Sequence, residues 1–281
     1  MTILITGANS GFGLLTAERF AVAGHRVAAG YRTRARADQL FALAGSGLPI
    51  APIELDVTNP SQIAQAAAAL TDVTALVNNA GFGIRGPIES ISDETYRLQF
   101  DTNVLGVIRM VRAFAPQMRA RRAGAIVNLS SLAGIITLPF SGIYAASKHA
   151  IEAISEALYM EMRGFGIRVS LIEPGIFPTG FSTAMMTAPG FDASSPYAPL
   201  GRAYGAAIAA WIAEAAHQSP AVVADAILRA VTDPTTPFRQ VLGPDAERLV
   251  PAYKAAPDFE TFAGEMLGSI GMGGAVALPE E

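Results

Sequence analysis

The sequence predicts an α/β protein: a doubly wound parallel sheet of about seven strands with helices on both faces. Three observations predict it. Short β-branched runs alternate with longer helical patterns along most of the chain, and strands joined by right-handed helical crossovers lie parallel. About half of the 281 residues are apolar and only 16% are charged, which is enough to bury a sheet on both sides. The first strand runs directly into a glycine-rich turn and then a helix, the opening unit of a sheet that binds a ligand at its strand ends.

Thr2-Ile-Leu-Ile-Thr6 is that strand, and Gly7-Ala-Asn-Ser-Gly11-Phe-Gly13 is the turn. Leu14 to Ala23 reads as the helix, ended by Gly24. Glycines permit a tight turn and let a pyrophosphate approach the backbone N–H groups at the helix start. His25 to Tyr31 is the second strand, and it ends without an acidic residue. A carboxylate there would hold the ribose 2′-hydroxyl of NAD. Arg32, Arg34 and Arg36 follow instead. A guanidinium fork suits a 2′-phosphate, so NADP is favoured over NAD. The plainer alternative is three arginines on a solvated helix start.

Pro49 to Glu54 is the third strand, closed by Asp56-Val57-Thr58, and Ser61 to Leu70 is an alanine-rich helix. Val73 to Val77 is the fourth strand, running into Asn78-Asn79-Ala80-Gly81. Two amides and a glycine at a strand end serve a turn or a ligand. Asp93 to Arg119 reads as one long helix carrying Asn103, a residue mildly unfavourable inside a helix. Ala125 to Leu129 is the fifth strand, with Ser131 just beyond it. Gly142 to Gly164 is a long helix on which Tyr144 and Lys148 stand one turn apart on the same face. A phenol near pKa 10 is a poor acid or base at neutral pH, and a neighbouring ammonium is expected to lower it toward the working range. Taken alone, such a pair is commonplace. Ile167 to Ile172 is the sixth strand, halted by Pro174-Gly175.

From Phe177 to Pro220 prolines and glycines recur among Phe181, Met185, Met186, Phe191, Tyr197, Tyr204 and Trp211. A long irregular insertion of this kind reads as a substrate lid with an apolar lining, or else as a small hydrophobic cluster under a loop. Ala221 to Thr232 is a further helix, Phe238 to Leu242 a last strand, and the tail 246–281 is helical at best before a Gly- and Ala-rich end expected to fray. One domain spanning 1–281 is expected, with 177–220 as its insertion.

Composition narrows the chemistry. A net charge of −4 gives no reason to expect nucleic acid. The absence of cysteine excludes disulfides, thiol catalysis and thiolate metal sites. His25, His149 and His217 lie far apart without ligand spacing, so no metal is expected. Met1 is followed at once by an apolar strand and glycines, and the uncharged stretch Ala123 to Ser147 is broken by Asn128, Pro139, serines and glycines. A cytoplasmic protein that does not enter a membrane is expected.

Together these motifs resemble the short-chain dehydrogenase/reductase family in its compact single-domain branch, a Rossmann-type fold. The resemblance runs from Thr2 to about Leu242 and rests on Thr6-Gly7 to Gly13, Asn78 to Gly81, Asn103 in Asn-Val-Leu-Gly, Ser131, Tyr144-x-x-x-Lys148, and Pro174-Gly175 with Thr179. It implies an oxidoreductase interconverting a secondary alcohol and a carbonyl. Tyr144 would be the acid/base, Ser131 would bind the carbonyl oxygen, and Lys148 would lower the phenol pKa and bind the nicotinamide ribose. Asn103 would hold a water linking Lys148 to solvent. Gly7, Ser10, Gly11, Phe12 and Gly13 would line the phosphates; Asp56 and Val57 would edge the adenine; Asn79, Ala80 and Gly81 would pack along the adenosine. Pro174, Gly175 and Thr179 would face the nicotinamide. Arg32 stands where NADP-preferring members keep a base, while Ser10 departs from the Lys or Arg many of them carry there. Gly11-Phe-Gly-Leu14 and the long insertion carry a loose likeness to steroid- and retinol-dehydrogenase-like members that does not fix a substrate; the apolar residues of 177–220 are what point to an apolar small-molecule alcohol or carbonyl. The family often pairs through the two long helices, giving a homodimer or tetramer. A non-catalytic nucleotide sensor on the same fold is the competing function; a sugar-nucleotide epimerase is disfavoured by the glycine spacing.

Overall fold

The structure, a computed structural model, describes residues 1–274. Its main sheet contains seven parallel strands: β1 (Thr2–Ile5), β2 (Arg26–Tyr31), β3 (Ile50–Glu54), β4 (Val73–Asn78), β6 (Gly124–Leu129), β7 (Ile167–Pro174) and β9 (Arg239–Leu242). Two short strands, β5 (Ile84–Arg85) and β8 (Met186–Thr187), pair with each other apart from it. The order is β3-β2-β1-β4-β6-β7-β9. The chain therefore reverses its direction of growth between β1 and β4, and the crevice beyond their carboxyl ends is where such sheets bind ligands.

Strand residues alternate between the two faces, as a period of two requires. Ile3, Ile5, Ala29, Val77 and Val127 pack with Ala17 and Phe20 of α1 (Gly11–Val22), Leu40 of α2 (Asp38–Ala44) and Ile227 of α9 (Ala221–Thr232). Leu4, Ala28, Leu76, Ile126 and Leu171 pack oppositely, with Ile63 of α3 (Pro60–Ala69), Met110 and Phe114 of α5 (Gly106–Arg121) and Ile151 of α6 (Gly142–Arg163). The expected fold class is the observed one.

Three stretches differ from expectation. The helix expected over Asp93 to Arg119 is broken into α4 (Asp93–Phe100) and α5 by a wide π turn over Asp101–Leu105. Such turns insert an extra residue and gather at functional sites; this one holds Asn103. Within 177–220 there is a four-residue α7 (Phe181–Ala184) and, unexpectedly, an 18-residue α8 (Ala198–Ala215). Pro199 stands at the start of α8, where a missing N–H costs nothing, and the alanine-rich run behind it is strongly helix-forming. Beyond β9, α10 (Pro244–Ala255) and α11 (Phe259–Ser269) are regular, the latter capped by Asp258 accepting from Thr261 N. They join Leu132, Ile136 and Tyr204 in a third apolar cluster beyond the strand ends. The last seven residues of the expected fraying tail lie outside the described residues. No helix among the described residues is long and apolar enough to cross a membrane.

Candidate active site

The glycine turn and the end of β4 are built against each other. Gly7 has φ +64°, and a Cβ there would lie 2.9 Å from Ala80 Cα. A Cβ on Gly13 would stand 2.4 Å from Gly7 O, so Gly13 serves helix-to-turn packing and is not on the cavity wall. Asn79 Nδ2 donates to Thr6 O (2.8 Å) and Gly7 O (2.9 Å), and Thr6 Oγ1 accepts from Asn79 N and Ala80 N, both at 3.0 Å. Asn78 turns away from the site and donates to Asn128 Oδ1, whose amide reaches Ser155 on α6. The start of α1 has no side-chain cap from Ser10 and no acid in its first turn. Its N–H groups therefore face the crevice without a side-chain acceptor, an arrangement that fits a pyrophosphate.

A cavity of about 510 Å³ runs from this turn across the strand ends. Arg32, Thr33 and Arg36 line it beside the turn, with Asp56 and Val57 near them. Arg34 is occupied elsewhere: it pairs with Asp38 at 2.7 Å and lies 3.8 Å over the Phe41 ring. Of the three arginines, Arg32 and Arg36 are thus the two at the cavity. Ser10, Gly11, Phe12, Ala80, Gly81, Pro174, Gly175 and Thr179 also line it.

Ser131, Tyr144 and Lys148 meet at the middle of the cavity. Ser131 is set by the short turn that follows β6; its Oγ accepts from Ala133 N at 3.1 Å and donates to Pro174 O at 3.4 Å, and it lies near enough to the Tyr144 phenol to lower its pKa slightly. Lys148 Nζ donates to Leu129 O at 2.7 Å and lies 5.8 Å from the Tyr144 ring centroid. Here the expected lowered phenol is corrected. Burial pushes Tyr144 up to about 12, against a smaller lowering by the Ser131 hydrogen bond. Burial likewise pushes Lys148 down to about 8, against the attraction of Glu152. Removing each charged form from water outweighs Ser131 at the phenol and Glu152 at the amine.

Asn103 lies behind this wall. Its Oδ1 accepts from Phe82 N (3.1 Å), and its Nδ2 donates to Phe82 O (3.0 Å) and to Ser147 Oγ (3.1 Å). Ser147 Oγ in turn donates to Tyr144 O. The Asn103 side chain thus ties the 81–82 turn to the helix that carries Tyr144.

The far end is apolar: Phe181, Met185, Ile136, Leu138 and Trp211 line it. The Phe181 ring is 5.7 Å from that of Tyr144. Met186 is 44% exposed and outside the cavity wall. Phe191 and Tyr197 pack on Phe140, at 4.8 and 6.1 Å, as a satellite ring cluster. Ile136, Leu138 and Asp245 border the cavity without having been singled out in the sequence. Asp245 had a signal, an acid in the first turn of a helix after Gly243-Pro244; its Oδ2 accepts from Ile176 N at 2.9 Å. The other two carry no local mark.

Residues 1–189 match the profile of the family described as short chain dehydrogenase. The 3-ketodihydrosphingosine reductase of Bacteroides thetaiotaomicron is 40% identical over 184 residues, 64% of this chain and 65% of the relative's length. Retinol dehydrogenase 8 of Homo sapiens is 34% identical over 257 residues, 85% of this chain and 80% of the relative. A crystal structure of a short chain dehydrogenase/reductase from Burkholderia phymatum in complex with NAD superposes with a TM-score of 0.76 and 30% identity, covering 92% of this chain and 96% of the other.

Proposed function

The chain belongs to the short-chain dehydrogenase/reductase family of oxidoreductases, and from that premise we propose that it uses NADP to interconvert a secondary alcohol and a carbonyl on an apolar substrate. One observation carries the reading: Ser131, Tyr144 and Lys148 converge on a cavity with two arginines at one end and an apolar wall at the other. Relatives of known structure bind NAD or NADP; the bound nicotinamide would supply or take the hydride. The residues already described fit such a group, since the turn at Gly7 tolerates no side chain and the start of α1 offers uncapped N–H groups.

Tyr144, protonated at neutral pH, donates its phenolic proton to the carbonyl oxygen as negative charge builds there. Ser131 Oγ donates a hydrogen bond to the same oxygen and holds it against the phenol. Lys148, largely an ammonium at pH 7, favours the phenolate left behind and would hold the ribose of a bound cofactor. Asn103 acts through the backbone at Phe82 and through Ser147, keeping α6 in register. Arg32 and Arg36 favour a 2′-phosphate, and no acid at the end of β2 competes for a 2′-hydroxyl. Phe181 and Met185 offer a substrate apolar contact and dispersion, and Trp211 a large apolar ring face, with α7 and the loop before α8 as its lid.

The same reading pairs two copies through α5 and α6, where Leu105, beside the start of α5, and Met160 are exposed. Calorimetry with NADPH and NADH, followed by a panel of ketones from small to bulky, tests the function. Tight binding of neither cofactor, or binding without turnover of any ketone or alcohol, would sink it.

A further inference from the structure

Behind Lys148 lies a cluster of carboxylates that the reaction does not use. Glu152 follows Lys148 by one turn of α6, and Glu173 stands on the adjacent strand β7. Their side chains are 11% and 0% exposed. A single guanidinium, Arg239, serves both: Nη2 lies 3.2 Å from Glu152 Oε2 and Nε 3.2 Å from Glu173 Oε1, while Nη2 also meets exposed Glu156 at 2.7 Å. Three carboxylates thus share one guanidinium. Glu152 Oε1 and Glu173 Oε2 are buried and find no donor among the described residues. A carboxylate oxygen only accepts, so two facing carboxylates satisfy neither; a carboxylic acid facing a carboxylate satisfies both. Gly134 closes the site, since a Cβ there would lie 2.9 Å from Glu152 Oε1 and 2.4 Å from Ser130 Oγ.

We propose that Glu152 is a positioning residue that keeps Lys148 an ammonium, and that Glu173 carries the proton that lets Glu152 retain its negative charge. The inference rests on the oxidoreductase reading for the role of Lys148 and adds to it the source of that charge. The charged groups facing Glu152 are Lys148 and Glu156 on its own helix, Glu173 on β7 and Arg239 on β9; the segment at Ser130 to Gly134 contributes a hydroxyl and no charge. The directions agree. Burial, then the charge of Glu152 and a hydrogen bond to it, push Glu173 up to about 8. Glu152 is the group that draws Lys148 upward against burial. A carboxyl pair at close range retains one proton because both cannot ionise cheaply.

The chain contains two lysines, Lys148 and exposed Lys254. Carbon-13 labelling at lysine Cε in a K254R background therefore leaves one NMR signal, whose titration reads Lys148 without cofactor or substrate. In E152Q the midpoint should fall from about 8 by about one unit, tenfold in proton affinity. E152D, which keeps the charge, should restore most of it, and E156Q should leave it in place. E173Q, which copies the protonated acid, should leave it nearly unmoved. An unmoved midpoint in E152Q overturns the proposal, and so does a fall in E173Q as large as that expected for E152Q. Should E152Q not fold, E173Q decides alone: a fall of a full unit places the charge on Glu173 and overturns the assignment. Because no turnover is measured, failure here is separate from failure of the oxidoreductase reading, which the ketone panel tests.

Discussion

Lys148 stands one helical turn from Tyr144, and its ammonium is bonded to the carbonyl of Leu129 at 2.7 Å. Ser131 lies beside the phenol and lowers its pKa slightly. Burial governs both groups, holding the phenol at about 12 and the amine at about 8. At neutral pH the site therefore presents a proton donor beside a cation, suited to reducing a carbonyl.

Tyr144→Phe keeps the ring and removes the only proton the mechanism moves. Turnover should fall by roughly 10²–10⁴-fold, the usual worth of a positioned acid or base. Cofactor affinity by calorimetry should change little. Retention of more than a few per cent of the activity would place the acid elsewhere.

The pH profile of carbonyl reduction should follow Lys148. Its ammonium is present below about 8 and lost above it, while the phenol keeps its proton to about 12. kcat/KM, which reports the unliganded enzyme, should be flat near pH 7 and decline through pH 8. A profile level to pH 10 would show that the charge on Lys148 is irrelevant to the rate.

Arg32→Asp should reverse the cofactor preference. It removes a charge-assisted hydrogen bond worth roughly 1.5–3 kcal/mol and sets a carboxylate against a 2′-phosphate. NADP affinity should drop by at least about tenfold relative to NAD. Arg34→Ala should not alter the ratio, because Arg34 is held by Asp38 and Phe41. Equal effects of the two substitutions would remove Arg32 from the cofactor site.

Met185→Ala should raise KM for bulky apolar ketones more than for small ones, at about 0.8 kcal/mol for each lost methylene contact. Met186→Ala should not, since Met186 is 44% exposed. If both variants treat all substrate sizes alike, the segment is packing and not a substrate wall.

Glu173 should leave a mark on stability as well. Its folded-state pKa of about 8 lies above the reference 4.5, so the folded protein keeps a proton that the unfolded chain releases. That contribution is complete below 4.5 and is lost as pH rises to 8. Between pH 5 and 8 the wild type should lose on the order of a few kcal/mol relative to Glu173→Gln. Parallel denaturation curves at the two pH values would show that Glu173 is ionised throughout.

Strand and helix patterning lay openly in the sequence, because burial on both faces makes each strand a short continuous apolar run, as Ile3-Leu4-Ile5 is. The glycine turn was legible for a similar reason: Gly7 needs a positive φ, and the residue type records that need. The Tyr144–Lys148 spacing follows from helix geometry alone. Other features depend on groups distant in sequence. The wide turn at Asn103 exists to serve Phe82 and Ser147, 21 and 44 residues away. Helix α8 was hidden by prolines that lie before its first full turn. The phenol of Tyr144 beside Lys148 was misjudged from sequence because spacing reveals a neighbour's charge but not how much water remains. Only the folded chain decides that, by closing β6, β7 and α6 around both groups, and only there do Glu152, Glu173 and Arg239, far apart along the chain, meet behind the lysine.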